Sequence, residues 1–198
     1  PENTRIGVMV NAADLIGFSD GPRGAVKELF APAAESPVDL VRVAAHFHEL
    51  AKAGPIIETL HELGYDTTVN LMQAGTRTTE EISDAVRIVS EWPVNVLYFA
   101  DSLGNMEPET VRDLITALKS DWPGEIGFHA HDSMLQALAN SVAALNSGAS
   151  WIDATVLGMG RGPGNVRLEY LLLEMNRLYG TSYDGRSLFN LLDEHFKP

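Results

Sequence analysis

Apolar residues in this chain gather in short runs, and each run is followed by a longer stretch patterned for a helix. Six runs rich in β-branched residues occupy Arg5–Val10, Asp39–Ala45, Asp66–Met72, Val94–Ala100, Glu125–His131 and Trp151–Leu157. Their length and composition predict buried strands. The stretches between them carry start and stop signals. A helix is expected over Glu49–Leu63, ended by Gly64. Thr78 and Glu81 form a Thr-x-x-Glu capping box that opens another, running to about Glu91. Pro108 suits the first turn of a helix reaching about Ser120. Ser133–Ser147 stops at Gly148, Val166–Tyr179 stops at Gly180, and Gly185–Phe196 forms a terminal helix. Within Asn11–Pro37 only Pro22–Phe30 reads as helix, and the rest reads as loop.

Strand and helix thus alternate six times without a linker or low-complexity tract. This predicts one parallel α/β domain over residues 1–198. An open doubly wound sheet and a (β/α)8 TIM barrel both satisfy the pattern. Six units in 198 residues average 33 residues each, near the roughly 31 per unit of a barrel of about 250 residues. On that spacing a barrel would be two units short. Such an arc would leave two strand edges unpaired and an open apolar interior.

Charge and composition narrow the partners. The 27 acidic and 14 basic residues give a net charge of −13. A nucleic-acid backbone or an anionic membrane surface calls for a basic footprint, so neither is an expected partner. With no cysteine, the chain has no disulfide, thiolate metal site or cysteine nucleophile. No apolar run approaches the ~18 residues of a membrane span. The opening Pro1-Glu2-Asn3-Thr4-Arg5 does not read as a signal peptide, so a cytoplasmic location is expected.

The sharpest chemical feature is His129-Ala130-His131 at the end of the fifth run. Residues i and i+2 of a strand share a face, so two imidazoles project side by side where α/β active sites gather. One divalent ion could bridge them with a carboxylate from a neighbouring strand; two hydrogen-bonded surface histidines are the other reading. A second pair, His46-Phe47-His48, follows the second run. Both pairs could feed one site, as in a zinc hydrolase, although His48 reads as loop and His46 as the better pocket candidate.

Glycine recurs at every second position in Gly158-Met159-Gly160-Arg161-Gly162-Pro163-Gly164-Asn165. This spacing allows close backbone approach to a ligand, with an anion at the following helix start, or a tight strand-to-helix turn. Arg161 suits a carboxylate or phosphate if it points inward. Asp101 and Ser102 follow the fourth run and suit substrate contacts or a helix-approach turn. Asp153 is a carboxylate inside an apolar run, either paired across the fold or part of a site, and Arg42 is its candidate partner.

The order of these features resembles the DRE-TIM metallolyase superfamily. It runs Asp-Ser-x-Gly, then Gly-x-His-x-His, then Ala-Asn-Ser, then the glycine repeat ending in Gly164-Asn165. The superfamily includes the 4-hydroxy-2-oxovalerate aldolases, the hydroxymethylglutaryl-CoA lyases and the isopropylmalate, citramalate and homocitrate synthases. The resemblance is strongest from Val94 to about Glu174 and extends to Val38–Met72, where Val41-Arg42-Val43-Ala44-Ala45-His46 and Asn70-Leu71-Met72 look like the aldolase branch. It implies a TIM barrel present as six units, with Arg5–Val10 as the third barrel strand. His129 and His131 would bind a divalent metal (Mn²⁺ or Mg²⁺ foremost, Zn²⁺ as an alternative), with Asn165 as a further ligand or near neighbour. Arg42, His46, Asp101, Ser102 and Arg161 would meet the substrate.

The implied reaction is aldolase or lyase chemistry at the carbon–carbon bond next to the keto group of a 2-oxo acid. An acyl-CoA condensing synthase and a non-catalytic partial barrel are the alternatives. The superfamily's Arg-Asp strand and the aldolases' catalytic base would lie upstream of residue 1, and the aldolases' communication domain has no counterpart. Asp132-Ser133 also stands where an asparagine is more usual. Additional chain completing the barrel, a partner, or poor independent stability is expected, and a homo-oligomer is permitted without being required.

Overall fold

The structure is a computed structural model and describes residues 4–196. Its strands are β1 (Gly7–Asn11), β2 (Leu40–Ala45), β3 (Asp66–Leu71), β4 (Val96–Asp101), β5 (Glu125–Ala130) and β6 (Trp151–Ile152). They pair in parallel in chain order, each with the next. A doubly wound sheet reverses its strand order at a switch point. Unbroken sequential order instead makes these six consecutive βα units of a TIM barrel. The sheet is curved: Arg42 on β2 reaches both Tyr98 on β4 and Asp153 beyond β6.

Among the described residues, eight α-helices connect and cover the strands. They are α1 (Ala12–Ile16), α2 (Gly21–Leu29), α3 (Leu50–Glu62), α4 (Thr79–Val89), α5 (Pro108–Asp121), α6 (Ala137–Ser147), α7 (Leu168–Tyr179) and α8 (Gly185–His195). Val43, Val69, Leu97, Phe99 and Phe128 from the sheet share one buried core with Ile56, Leu60, Val89 and Ile115 from the helices. The Thr78 capping box forms as expected: the Glu81 amide donates to Thr78 Oγ1 at 3.2 Å, and the Thr78 amide donates to Glu81 Oε2 at 2.8 Å. Among the described residues no helix is long and apolar enough to cross a membrane.

Three elements differ from expectation. The fifth helix was expected from Ser133 but starts at Ala137, because Leu135 adopts a left-handed φ of 57° and Asp132 Oδ1 accepts the Ala137 amide at 2.9 Å. The sixth strand was expected to reach Leu157 but ends at Ile152. Among the described residues it has β5 on one side and no strand on the other, and a 3₁₀ turn at Val156–Gly158 carries the chain away. The five-residue α1 was read as loop, being too short for its periodicity to show. The inner face of the arc is not apolar either: Arg42, Asn70 and His129 line it.

Candidate metal and substrate site

Register builds the site. Ala44, Asn70, Tyr98 and Gly127 stand side by side across β2 to β5, with Ala100 beside His129 one step further along. In a parallel sheet, paired positions share a face, so these residues form a common inner wall. Gly127 is needed here: a Cβ would lie 2.4 Å from the Tyr98 ring. The ring therefore lies across β5, and the Arg42 guanidinium stacks 3.7 Å from its centroid, a cation–π contact.

Arg42 then meets Asp153 through two hydrogen bonds, Nη2 donating to Oδ1 at 3.0 Å and Nη1 to Oδ2 at 2.5 Å. The same Oδ2 lies 2.9 Å from His129 Nδ1. Burial alone would raise the Asp153 carboxyl, but bonds from His129 and Arg42 outweigh it and hold the group ionised well below the usual carboxylate range. An ionised acceptor selects the His129 tautomer with hydrogen on Nδ1 and leaves Nε2 with a free lone pair. The Arg42 and Asp153 side chains are 18% and 22% exposed, so the pair is substantially desolvated.

His131 stands beside His129, with ring centroids 5.1 Å apart and planes at 85°. Its backbone is clamped: the His131 amide donates to the Asp101 carbonyl at 3.3 Å, and an antiparallel bridge joins His131 to Asn165. Burial, His129 and Arg161 all push the His131 imidazole below its ordinary value, towards the neutral form that can bind a metal. The glycine repeat folds back on itself. At Gly164, φ is +90° and a Cβ would lie 2.1 Å from the Gly158 carbonyl oxygen. That fold seats Asn165, whose amide nitrogen donates to the Met159 carbonyl at 3.0 Å. Asn165 Oδ1 is buried without a protein partner.

A cavity of about 730 Å³ opens at the carboxyl ends of the strands. It brings together Arg42, His46, Ser102, His129, His131 and Arg161 from the sequence reading. Asp101 lies outside the lining, because its carboxylate accepts the Asn105 and Met106 amides at 3.1 Å and shapes the β4–α5 loop. Asn165 borders His131 through the backbone. His48 is turned to solvent, its side chain 76% exposed. Among the described residues no three His, Asp or Glu side chains gather as a metal cluster, so the two His-x-His pairs do not converge.

The sequence reading did not single out Tyr98, because Tyr98-Phe99-Ala100 looks like uninterrupted core. Asn70 entered it only as part of a resemblance. The available signal was parity: Asn70 is a polar residue between Val69 and Leu71, as Asp153 is between Ile152 and Ala154.

Comparison with known proteins agrees with this architecture. The profile of the HMGL-like family matches residues 47–192, most of the chain. The chain belongs to the HMGL-like family. Among curated proteins, this HMGL-like chain is 34% identical over 176 residues to the 4-hydroxy-2-oxovalerate aldolase of Geobacillus thermodenitrificans, covering 88% of the chain and 51% of the relative. It is 37% identical over 158 residues to the enzyme of the same name from a Marinomonas species, covering 79% and 46%. The chain thus spans about half the length of the curated relatives it matches. Among solved structures, the N-terminal domain of a candidate aldolase from Bacteroides vulgatus superposes with TM-score 0.78 at 25% identity, over 98% of this chain and 64% of that one. Rhizobium etli pyruvate carboxylase shares the fold, with TM-score 0.84 at 16% identity over 96% of this chain and 20% of that one.

Proposed function

We propose that residues 1–198 are one partial catalytic domain of a divalent-metal-dependent aldolase acting on 4-hydroxy-2-oxo acids. The observation that carries this is the Arg42–Asp153–His129 chain, which holds one imidazole of the His-x-His pair in the tautomer a metal requires. The relatives named as aldolases support the choice of reaction. The donor types fit a divalent cation: His129 Nε2, the His131 imidazole and the unpartnered Asn165 Oδ1 are borderline and hard ligands suited to Mn²⁺, Mg²⁺ or Zn²⁺. When bound, such an ion would supply Lewis-acid polarisation of the 2-oxo group.

The other residues have separable tasks. Asp153 holds the Nδ1 proton of His129 and keeps the ring from turning. Arg161 lines the cavity near His131 and is the cation left to meet the substrate carboxylate, since Arg42 is committed to Asp153 and Tyr98. Ser102 and His46 line the same wall, with Ser102 Oγ accepting the Gln73 amide at 3.0 Å. In the superfamily resemblance, the carboxylate ligand, the enolate-holding arginine and the base belong to a strand that precedes β1. Further chain completing the barrel would supply them, and the partner in catalysis is a small 2-oxo acid.

The zinc-hydrolase reading loses its support with the exposure of His48. The acyl-CoA synthase reading has no feature in the cavity that favours it. Titration calorimetry with Mn²⁺ tests the site: His129→Ala and His131→Ala should each abolish measurable binding, and unchanged affinity would sink the assignment. For the protein as expressed in full, release of pyruvate from 4-hydroxy-2-oxopentanoate supports the aldolase. Thiol release from acetyl-CoA plus a 2-oxo acid would replace it with the synthase.

A further inference from the structure

The β3 side of the cavity holds two carboxamides that the reaction scheme above leaves idle. Asn70 is 6% exposed and lines the cavity, and its Oδ1 is buried with no protein partner. A buried carboxamide oxygen without a hydrogen bond is unfavourable, and a bound ligand relieves it. Gln73, at the end of the same strand, also lines the cavity. Its backbone is left-handed, with φ 59° and ψ 36°, a region that glutamine rarely visits. Two bonds hold it there: its amide donates to Ser102 Oγ at 3.0 Å, and its carbonyl accepts the Thr76 hydroxyl at 2.9 Å. Strain of this kind collects at functional sites because the surroundings enforce it.

The chemistry of this wall differs from the rest of the cavity. Arg161 and the histidines suit the 2-oxo acid end. Asp14 is bonded to Asn11, and Glu49 accepts the His46 amide, so the cavity carboxylates are already engaged. A carboxamide offers one donor group and one acceptor, which complements a hydroxyl, itself donor and acceptor at once.

We propose that Asn70 and Gln73 form a hydroxyl-recognising subsite. The substrate is then a 4-hydroxy-2-oxo acid with a further hydroxyl on C5 or beyond, and the aldehyde product is a hydroxyaldehyde. This rests on the aldolase reading. In cleavage the C3–C4 bond breaks and its electron pair passes to the 2-oxo half. The C4 hydroxyl loses its proton and becomes the aldehyde carbonyl, while a proton taken up at C3 makes the methyl group of pyruvate. The extra hydroxyl is untouched and leaves with the aldehyde, so the subsite acts on discrimination.

The test compares 4,5-dihydroxy-2-oxopentanoate with 4-hydroxy-2-oxopentanoate, by turnover and by calorimetric binding, on the full-length Mn²⁺-loaded protein. The expected kcat/KM ratio favours the dihydroxy acid tenfold or more. Asn70→Leu should lower that ratio at least tenfold. Gln73→Gly, which accepts the left-handed turn and so retains the fold, should lower it by a smaller factor. Turnover of both acids with a ratio near one, or a ratio that neither variant moves, overturns the subsite and leaves the aldolase standing. No turnover, with a calorimetric preference for the dihydroxy acid that Asn70→Leu removes, overturns the aldolase and keeps the subsite. Binding of neither acid overturns both.

Discussion

Val41, Val43, Val69, Leu97, Phe99, Ile126 and Phe128 belong to the core between sheet and helices, and each is 2% exposed or less. On the same strands, at intervening positions, stand Arg42, Thr68, Asn70, Tyr98 and His129. A parallel sheet covered on both faces reads as continuously apolar. Here only one face does so, and the other carries the Arg42 guanidinium, the His129 imidazole and the unpartnered Asn70 carboxamide oxygen. Each of these five residues is thereby flanked in sequence by buried neighbours, which fixes its backbone without using its side chain. Stability and chemistry are divided by the two-residue period of the strand.

Substitutions on the two faces should separate these roles. The largest stability effect belongs to the outer face: Phe128→Ala should destabilise by about 3–5 kcal/mol in chemical denaturation. Mn²⁺ affinity extrapolated to the folded protein should change little. Asp153→Asn attacks the inner face by removing the charge that fixes the His129 tautomer. Mn²⁺ affinity should fall roughly 10–100-fold, and ¹⁵N chemical shifts of His129 should show loss of the Nδ1-protonated form. A loss of stability with intact metal affinity would merge the two faces again.

Gly127→Ala probes the contact between strands, since its Cβ would meet the Tyr98 ring at 2.4 Å. Overpacking there should cost about 1–3 kcal/mol, and the shorter pair Gly127→Ala with Tyr98→Leu should recover part of it. Smallest is the Thr78→Ala change at the α4 cap, far from either face, at about 1 kcal/mol. The partner Glu81 carboxyl is held below its ordinary value, first by the Thr78 amide and further by Arg77. Its contribution is therefore present above the ordinary carboxylate range and is lost as pH falls through the depressed folded value. A pH titration of unfolding should show that loss in the wild type and in Thr78→Ala, which keeps the Thr78 backbone amide, but not in Glu81→Gln.

Much of the architecture was legible because its signals are local. The Thr78 box and the glycines that end α6 and α7 act within a few residues, and all three form where the pattern places them. The pattern and the structure differ where loop geometry or the availability of a partner strand decides, neither of which periodicity reports. The start of α6 depends on Asp132 capping Ala137 across a left-handed Leu135. The end of β6 depends on which strands are available to pair, which propensity does not report. The adjacency of His129 and His131 followed from strand parity alone, whereas Asn165 came only through resemblance. Asp101 was read as a pocket residue from its place at a strand end, but its carboxylate serves the backbone of its own loop.

By itself the amino-acid order determined the six strand–helix units, the shared face of the two histidines and the charge conflict of Asp153 within an apolar run, because each follows from spacing along the chain. Curvature of the sheet decided the rest. It carries Arg42 to a carboxylate 111 residues away, lays Tyr98 over Gly127, where no side chain blocks it, and turns Asn70 towards the cavity at the strand ends. Such contacts depend on strand order and register in three dimensions, and neither is written in any single segment.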